Sequence, residues 1–214
     1  MALDVKICGL DRIESVDTAV NNGAAYVGFV FYPPSPRNLT PRAAAPLIAR
    51  VPKNVTRVSL FVDPTDAEIE AVLALSTLDL IQLHGSEAPI RVQEIKQLSG
   101  LPVMKAIKLA GPEDLAAAAA YYDVADRLLF DAKAPADMKN TLPGGNALSF
   151  DWELLRDTDI PLPWMLAGGL EVSNLAKATQ ISSATTLDVS SSVESAPGVK
   201  DLTRIKEFLI ASKN

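Results

Sequence analysis

Short apolar or β-branched runs alternate with longer helical patterns from one end of this chain to the other. The runs occupy 5–8, 25–31, 57–62, 78–83, 102–107, 127–131, 163–167 and 185–189. Helical spacing fills 12–21, 65–75, 90–98, 111–121 and 172–178, and a last helical pattern covers 199–211. Strict alternation implies parallel strands joined by helical crossovers, because parallel neighbours cannot be joined by a tight turn. Eight units predict closure into a barrel, whereas six or seven would suggest an open sheet. At about 27 residues per unit the chain is lean for that fold and leaves little for an inserted domain. The expectation is an α/β chain, a (β/α)8 TIM barrel, with residues 1–214 as one catalytic domain.

Local signals support the pattern. Asp11, the Pro64-Thr65 pair, and Ser86 with Glu87 are candidate caps for the helices that follow them. The Ala116–Ala120 run reads as a helix face, since Ala is the strongest helix former. Two connections are long: 32–41, which holds four prolines, and 132–149. Both follow strands, so a barrel places both on the face that carries active sites, where long loops are candidate substrate covers.

Composition narrows the function. A formal net charge of −6 gives no electrostatic footprint for nucleic acid, so an anionic ligand needs locally placed cations or backbone N–H groups. Lys6 lies in the first strand, no apolar run follows a basic start, and no segment has membrane-spanning length, so neither a signal peptide nor a membrane partner is expected. The single cysteine, Cys8, cannot form an intramolecular disulfide, and one Cys with one His argues against zinc, although carboxylate metal sites stay open. The simplest expectation is a cytoplasmic protein with no structural metal.

In a barrel the C-terminal ends of strands carry the chemistry. Those ends are Cys8, Phe31, Asp63, His84, Lys108, Asp131, Gly168 and Asp188. Period-two alternation puts Lys6 and Cys8 on one face of the first strand, with Val5 and Ile7 on the other. Cys8 then reads either as a small buried hydrophobe or as a base whose thiolate the Lys6 cation favours. Asp131 reads as a general acid, as a helix cap or as the partner of Lys133. His84 reads as a hydrogen-bonded strand-end residue or a substrate contact. Arg37, in the proline-rich loop, reads as solvated or as a two-bond clamp for a carboxylate. The Gly168-Gly169 turn and the 187–194 segment fall where barrels often bind phosphate; alternatively they are two tight turns without a ligand.

Together these residues resemble the phosphoribosylanthranilate isomerase family, aldose–ketose isomerases of tryptophan biosynthesis. The resemblance is carried by Val5-Lys6-Ile7-Cys8-Gly9, by Tyr26 to Tyr32 followed by Ser35-Pro36-Arg37, by Leu60-Phe61-Val62, Gln82-Leu83-His84-Gly85, Leu129-Phe130-Asp131 and Phe150-Asp151-Trp152, and by Ala167-Gly168-Gly169-Leu170 and Asp188 to Glu194. It implies an Amadori rearrangement of N-(5′-phosphoribosyl)anthranilate with Asp131 as general acid and Cys8 as general base, and with neither metal nor organic cofactor. It implies Arg37 on the anthranilate carboxylate and backbone N–H groups around Gly168, Gly169, Ser191 and Ser192 on the phosphate. Lys6, His84, Asp188 and Ser190 would complete the substrate site. The expected partner is a small phosphorylated substrate, with no nucleic acid or membrane, for a monomer or homodimer.

The chain departs from the family pattern twice. Ser192 stands where the family usually has Gly, and Asn146-Ala147 falls in a usually Gly-rich run. Positive φ at Ser192 would be strained. Two other readings compete. One is the histidine-pathway sugar-phosphate isomerase, which is expected to use two aspartates and is opposed by Cys8. The other is a non-catalytic phosphate-binding barrel, opposed by the presence of both Cys8 and Asp131.

Overall fold

The structure, a computed structural model, describes residues 3–134, 144–145 and 148–213. Strands β1 (Asp4–Cys8), β2 (Tyr26–Phe31), β3 (Thr56–Phe61), β4 (Leu80–Leu83), β5 (Val103–Leu109), β6 (Arg127–Ala132), β7 (Trp164–Leu166) and β8 (Thr186–Val189) form a closed barrel. Each pairs in parallel with the next, and β8 returns to β1 with Lys6 opposite Asp188. Helices α1 (Ile13–Asn21), α2 (Pro41–Ala49), α3 (Asp66–Leu73), α4 (Pro89–Ser99), α5 (Pro112–Ala117), α6 (Leu175–Ser182) and α7 (Leu202–Ala211) lie around it. No described helix is long and apolar enough to cross a membrane.

Alternation along the strands separates two cores. Val5 and Ile7 of β1, Val27 and Phe29 of β2, and Leu187 and Val189 of β8 face outward and pack with helix residues such as Val16, Ile48, Ile69, Ile95 and Phe208. The inward set, Tyr26, Val58, Leu80, Met104, Ala106, Leu129, Met165 and Ala167, fills the barrel. Above it lies a smaller layer of Cys8, Val30 and Leu60. A filled interior leaves space only at the upper rim, so the rim is where a ligand can enter.

Several local expectations need correction. No helical pattern marks α2 in the sequence, because Pro41 and Pro46 hide it. Pro41 is at its start, where a missing N–H costs nothing, and the Thr40 hydroxyl accepts from the Ala43 N–H at 3.2 Å. Asp11 does not cap α1; Arg12 is the cap residue, and Ser15 Oγ bonds both its N–H and its carbonyl. Thr65 does cap α3, in a reciprocal box with Glu68. Ser86 and Glu87 do not cap α4, whose cap residue is Ala88. The Ala-rich run leaves α-helix at Ala118 for a 3-10 turn, Ala118–Tyr121. Between β6 and β7 the described residues hold a 3-10 turn, Trp152–Leu155.

The last segment differs most. Val199 and Lys200 are not the start of α7. They form β10, antiparallel to β9 (Glu194–Ala196), and Asp201 caps the helix through the N–H groups of Thr203 and Arg204. This small hairpin follows β8 after a 3-10 turn, Ser191–Val193, and returns Lys200 to the barrel rim, where its Nζ meets the Ser190 carbonyl.

Candidate active site

A cavity opens at the C-terminal ends of the strands. Its walls include Cys8 from β1, Asp131 from β6 and Asp188 from β8, with His84 just after β4 and Gly168 just after β7. Arg37, Gly144, Gly145, Gly169, Ser190 and Ser191 join them from the loops above. Among the eight strand-end positions singled out, Phe31, Asp63 and Lys108 do not line it. Asp63 instead accepts from the Ser86 N–H, and its own N–H donates to Glu87.

Cys8 faces inward, as alternation requires, and is buried beside Lys6. The Lys6 ammonium is wholly buried and donates to Asp188 Oδ1 at 2.8 Å. It does not line the cavity but lies beneath it, which corrects its placement as a wall residue. Burial alone would lower the Lys6 pKa, but the charges of Asp188 and Cys8 outweigh that and hold it above its ordinary value. Burial pushes the Cys8 thiol up; Lys6 opposes this, and Asp188 adds to it. Lys6 thus favours the thiolate, as expected, but burial outweighs it and leaves the thiol above its ordinary value.

Asp131 lies three strands from Cys8 around the ring. Its Oδ1 accepts the Ala132 N–H at 2.9 Å, and its Oδ2 is 3.2 Å from His84 Nε2. Gln82 Nε2 is 3.0 Å from His84 Nδ1. His84 thus bridges Gln82 and Asp131 through its two ring nitrogens. Lys133 pairs with Asp114, not with Asp131. Gln82 and His84 share the inward face of β4 and its extension, a spacing that period two makes readable.

Arg37 is not solvated. Its Nε and Nη2 donate to the two oxygens of Glu194 at 2.7 and 2.8 Å, and both residues are buried. Lys200 Nζ donates to the same carboxylate at 2.7 Å and to the Ser190 carbonyl at 2.9 Å. Ser190 Oγ donates to the Cys8 carbonyl at 3.1 Å, so this network touches the base of the Cys8 wall. The sequence places Glu194 in the candidate phosphate segment but does not reveal its pairing with Arg37 and Lys200, because an irregular two-strand hairpin makes it and no helix or strand period marks that hairpin.

Gly168 and Gly169 both have left-handed backbones, with φ of 87° and 62°. A side chain at either would be strained, and a Cβ on Gly168 would lie 2.9 Å from the Ala132 nitrogen. Ser190 and Ser191 face the same cavity, whereas Ser192 lines a separate depression with Glu171, Ser173 and Arg204. Ser192 sits in a 3-10 turn, Ser191–Val193, and is not among the residues with positive φ, so the anticipated strain is absent. Asn146 and Ala147 lie outside the described residues.

The chain matches the family model for N-(5′-phosphoribosyl)anthranilate (PRA) isomerase over residues 5–211. The chain belongs to that family. An N-(5′-phosphoribosyl)anthranilate isomerase from Paramagnetospirillum magneticum is 54% identical over 213 residues, covering 100% of this chain and 98% of the relative. The crystal structure of phosphoribosyl anthranilate isomerase from Thermotoga maritima superposes with a TM-score of 0.86 at 32% identity, covering 99% of this chain and 98% of that one. A second isomerase structure, solved with reduced 1-(o-carboxyphenylamino)-1-deoxyribulose 5-phosphate, gives a TM-score of 0.83 at 32% identity, with coverage of 99% and 98%. The PRA isomerase fold thus extends over essentially the whole chain.

Proposed function

We propose that Cys8 and Asp131 perform, as general base and general acid, the isomerisation for which this family is named. The observation that carries the reading is their presence on one cavity together with Arg37 and the Gly168-Gly169 and Ser190-Ser191 turns. The substrate is N-(5′-phosphoribosyl)anthranilate and the product 1-(2-carboxyphenylamino)-1-deoxyribulose 5-phosphate. Asp131 gives a proton to the furanose ring oxygen, and the C1′–O4′ bond breaks as the amine lone pair forms a Schiff base. Cys8, as thiolate, takes the C2′ proton, and the electrons left behind neutralise the iminium to an enolamine. Tautomerisation to the ketose completes the step. No atom is gained or lost, as an intramolecular isomerisation requires.

The geometry suits each task. The Cys8 thiol is held up by burial, but a neighbouring iminium acidifies the C2′ proton, so a small thiolate population suffices. The His84 Nε2 contact at 3.2 Å orients the Asp131 carboxyl. Backbone N–H groups in the two turns suit a phosphate, and a chain of net charge −6 has good reason to use them. Arg37 keeps Nη1 for the anthranilate carboxylate after committing Nε and Nη2 to Glu194. Lys6 acts from below through Cys8 and Asp188. On this reading the chain is one catalytic domain that needs only its small phosphorylated substrate, as a monomer or homodimer in the cytoplasm.

The test is a fluorescence assay in which the substrate is made in place from anthranilate and phosphoribosyl pyrophosphate. The expected result is a protein-dependent loss of anthranilate-type emission. Asp131→Ala and Cys8→Ala should each lower kcat by about 10²–10⁴-fold while still binding the reduced product analogue. Near-normal turnover in either variant removes that residue from its role.

A further inference from the structure

Glu194 and Lys200 lie behind Arg37, and the reading above gives them no task. Every acceptor direction of the Glu194 carboxylate is taken. Oε1 accepts from Arg37 Nε and Lys200 Nζ, both at 2.7 Å, and Oε2 accepts from Arg37 Nη2 at 2.8 Å and the Gly198 N–H at 3.1 Å. A carboxylate so saturated is a holder, not a base. Burial would push it up, but its bonds to Arg37 and the charge of Lys200 hold it below the usual carboxylate range, so it stays ionised.

Charge and direction both follow. The two-bond pair uses one edge of the guanidinium and turns Nη1 toward the cavity, where a Cβ on Gly145 would stand 2.8 Å from it. An Arg–Glu pair alone would be neutral and would offer little to an anion. Lys200 supplies a second buried cation, whose pKa burial lowers and the Glu194 charge supports, so the cluster of Arg37, Glu194 and Lys200 keeps an excess of one positive charge behind the cavity wall. That is the local positive potential an acidic chain needs if one end of its ligand is a carboxylate.

We infer that Glu194 and Lys200 are positioning residues that aim Arg37 and keep its subsite singly positive, so that it selects substrates bearing a carboxylate on the aromatic ring. This rests on the isomerase reading. The hairpin β9–β10 then has a purpose: it carries the carboxylate and the second cation to the back of one arginine.

The test uses two reduced product analogues, one with the ring carboxylate and one without, titrated calorimetrically into the full-length protein. Wild type should bind the carboxylated compound at least about tenfold more tightly, the value of one charge-assisted contact. Lys200→Met should lose most of that preference by weakening the carboxylated compound alone, and Lys200→Arg should restore it. Glu194→Gln should also reduce the preference by loosening the guanidinium. Equal weakening of both analogues in Lys200→Met, or no weakening of either, overturns the inference. If wild type binds both equally, the carboxylate subsite fails while the isomerase reading stands; if it binds neither, the isomerase reading itself fails and takes this inference with it.

Discussion

Two buried lysine–carboxylate pairs in this barrel share a bond length and differ in almost everything else. Lys6 reaches Asp188 at 2.8 Å inside the barrel, and Lys105 reaches Glu87 at 2.8 Å outside it. Burial works against both ammonium groups. Lys6 nonetheless ends above its ordinary pKa, because Asp188 and Cys8 both favour its charge. Lys105 ends below, because Glu87 cannot offset its burial and Lys108 repels it. The second pair is a tie: Glu87 also accepts from the Gly85 and Asp63 N–H groups, and Lys105 also donates to the Gly85 carbonyl. Tyr121 closes it over, its hydroxyl on the Glu87 carbonyl. The first pair borders a group that can itself become an anion. One pair holds loops together, whereas the other sets the proton chemistry of a neighbour.

Lys6→Met should separate them most sharply. It strands Asp188 as a buried charge, and breaking a buried pair costs about 3–5 kcal/mol. It also removes the cation nearest Cys8 and leaves the carboxylate that disfavours the thiolate. Activity that depends on thiolate rises with pH, so the rising limb of kcat/KM should move to higher pH. Chemical denaturation and a pH profile on the same preparation would show both effects. An unmoved limb would mean that Lys6 does not govern Cys8.

Glu87→Ala should cost a similar about 3–5 kcal/mol, because Lys105 loses its charge partner inside the helix layer. Here the pH profile should keep its shape. A shifted limb would erase the distinction between the two pairs. Asp188→Asn is milder, since the amide oxygen can still accept from Lys6. It removes a negative charge beside Cys8, so the limb should move to lower pH, opposite to Lys6→Met. Movement of both variants in the same direction would show that lost structure, not charge, controls the base.

The sequence discloses one of these pairs better than the other. Lys6 and Cys8 are two residues apart on a strand whose other face is apolar, so their shared inward direction follows from alternation. The order of segments likewise recovers the eight-fold alternation, the rim positions of Asp131 and Asp188, and the turn at Gly168-Gly169. Glu87 reads as a helix-start residue because Ser-Glu before a helix usually is one, and nothing local shows that Lys105, eighteen positions later, will bury it. Arg37 with Glu194 is harder still. The two are 157 positions apart, and an irregular hairpin makes the contact. The contribution of Asp188 at Cys8 has the same origin, since Asp188 meets Lys6 only when the barrel closes. Alternation reveals direction along one strand; partners across the closure appear only when the ring is complete.

A third lysine pair sets the lower end of the scale. Lys96 reaches Asp126 at 2.7 Å, slightly closer than either buried pair, yet both side chains are substantially exposed. Distance ranks it first and solvent ranks it last, because water screens the attraction and the long side chain loses freedom in making it. Asp126 also accepts the Val103 N–H at 2.9 Å, so it keeps a structural bond when the lysine is removed. Lys96→Ala should therefore change unfolding free energy by less than about 1 kcal/mol, leave the kcat/KM profile in place and lose what effect it has in high salt. A cost approaching that of Glu87→Ala would mean that proximity, not burial, decides what a lysine–carboxylate pair is worth in this barrel.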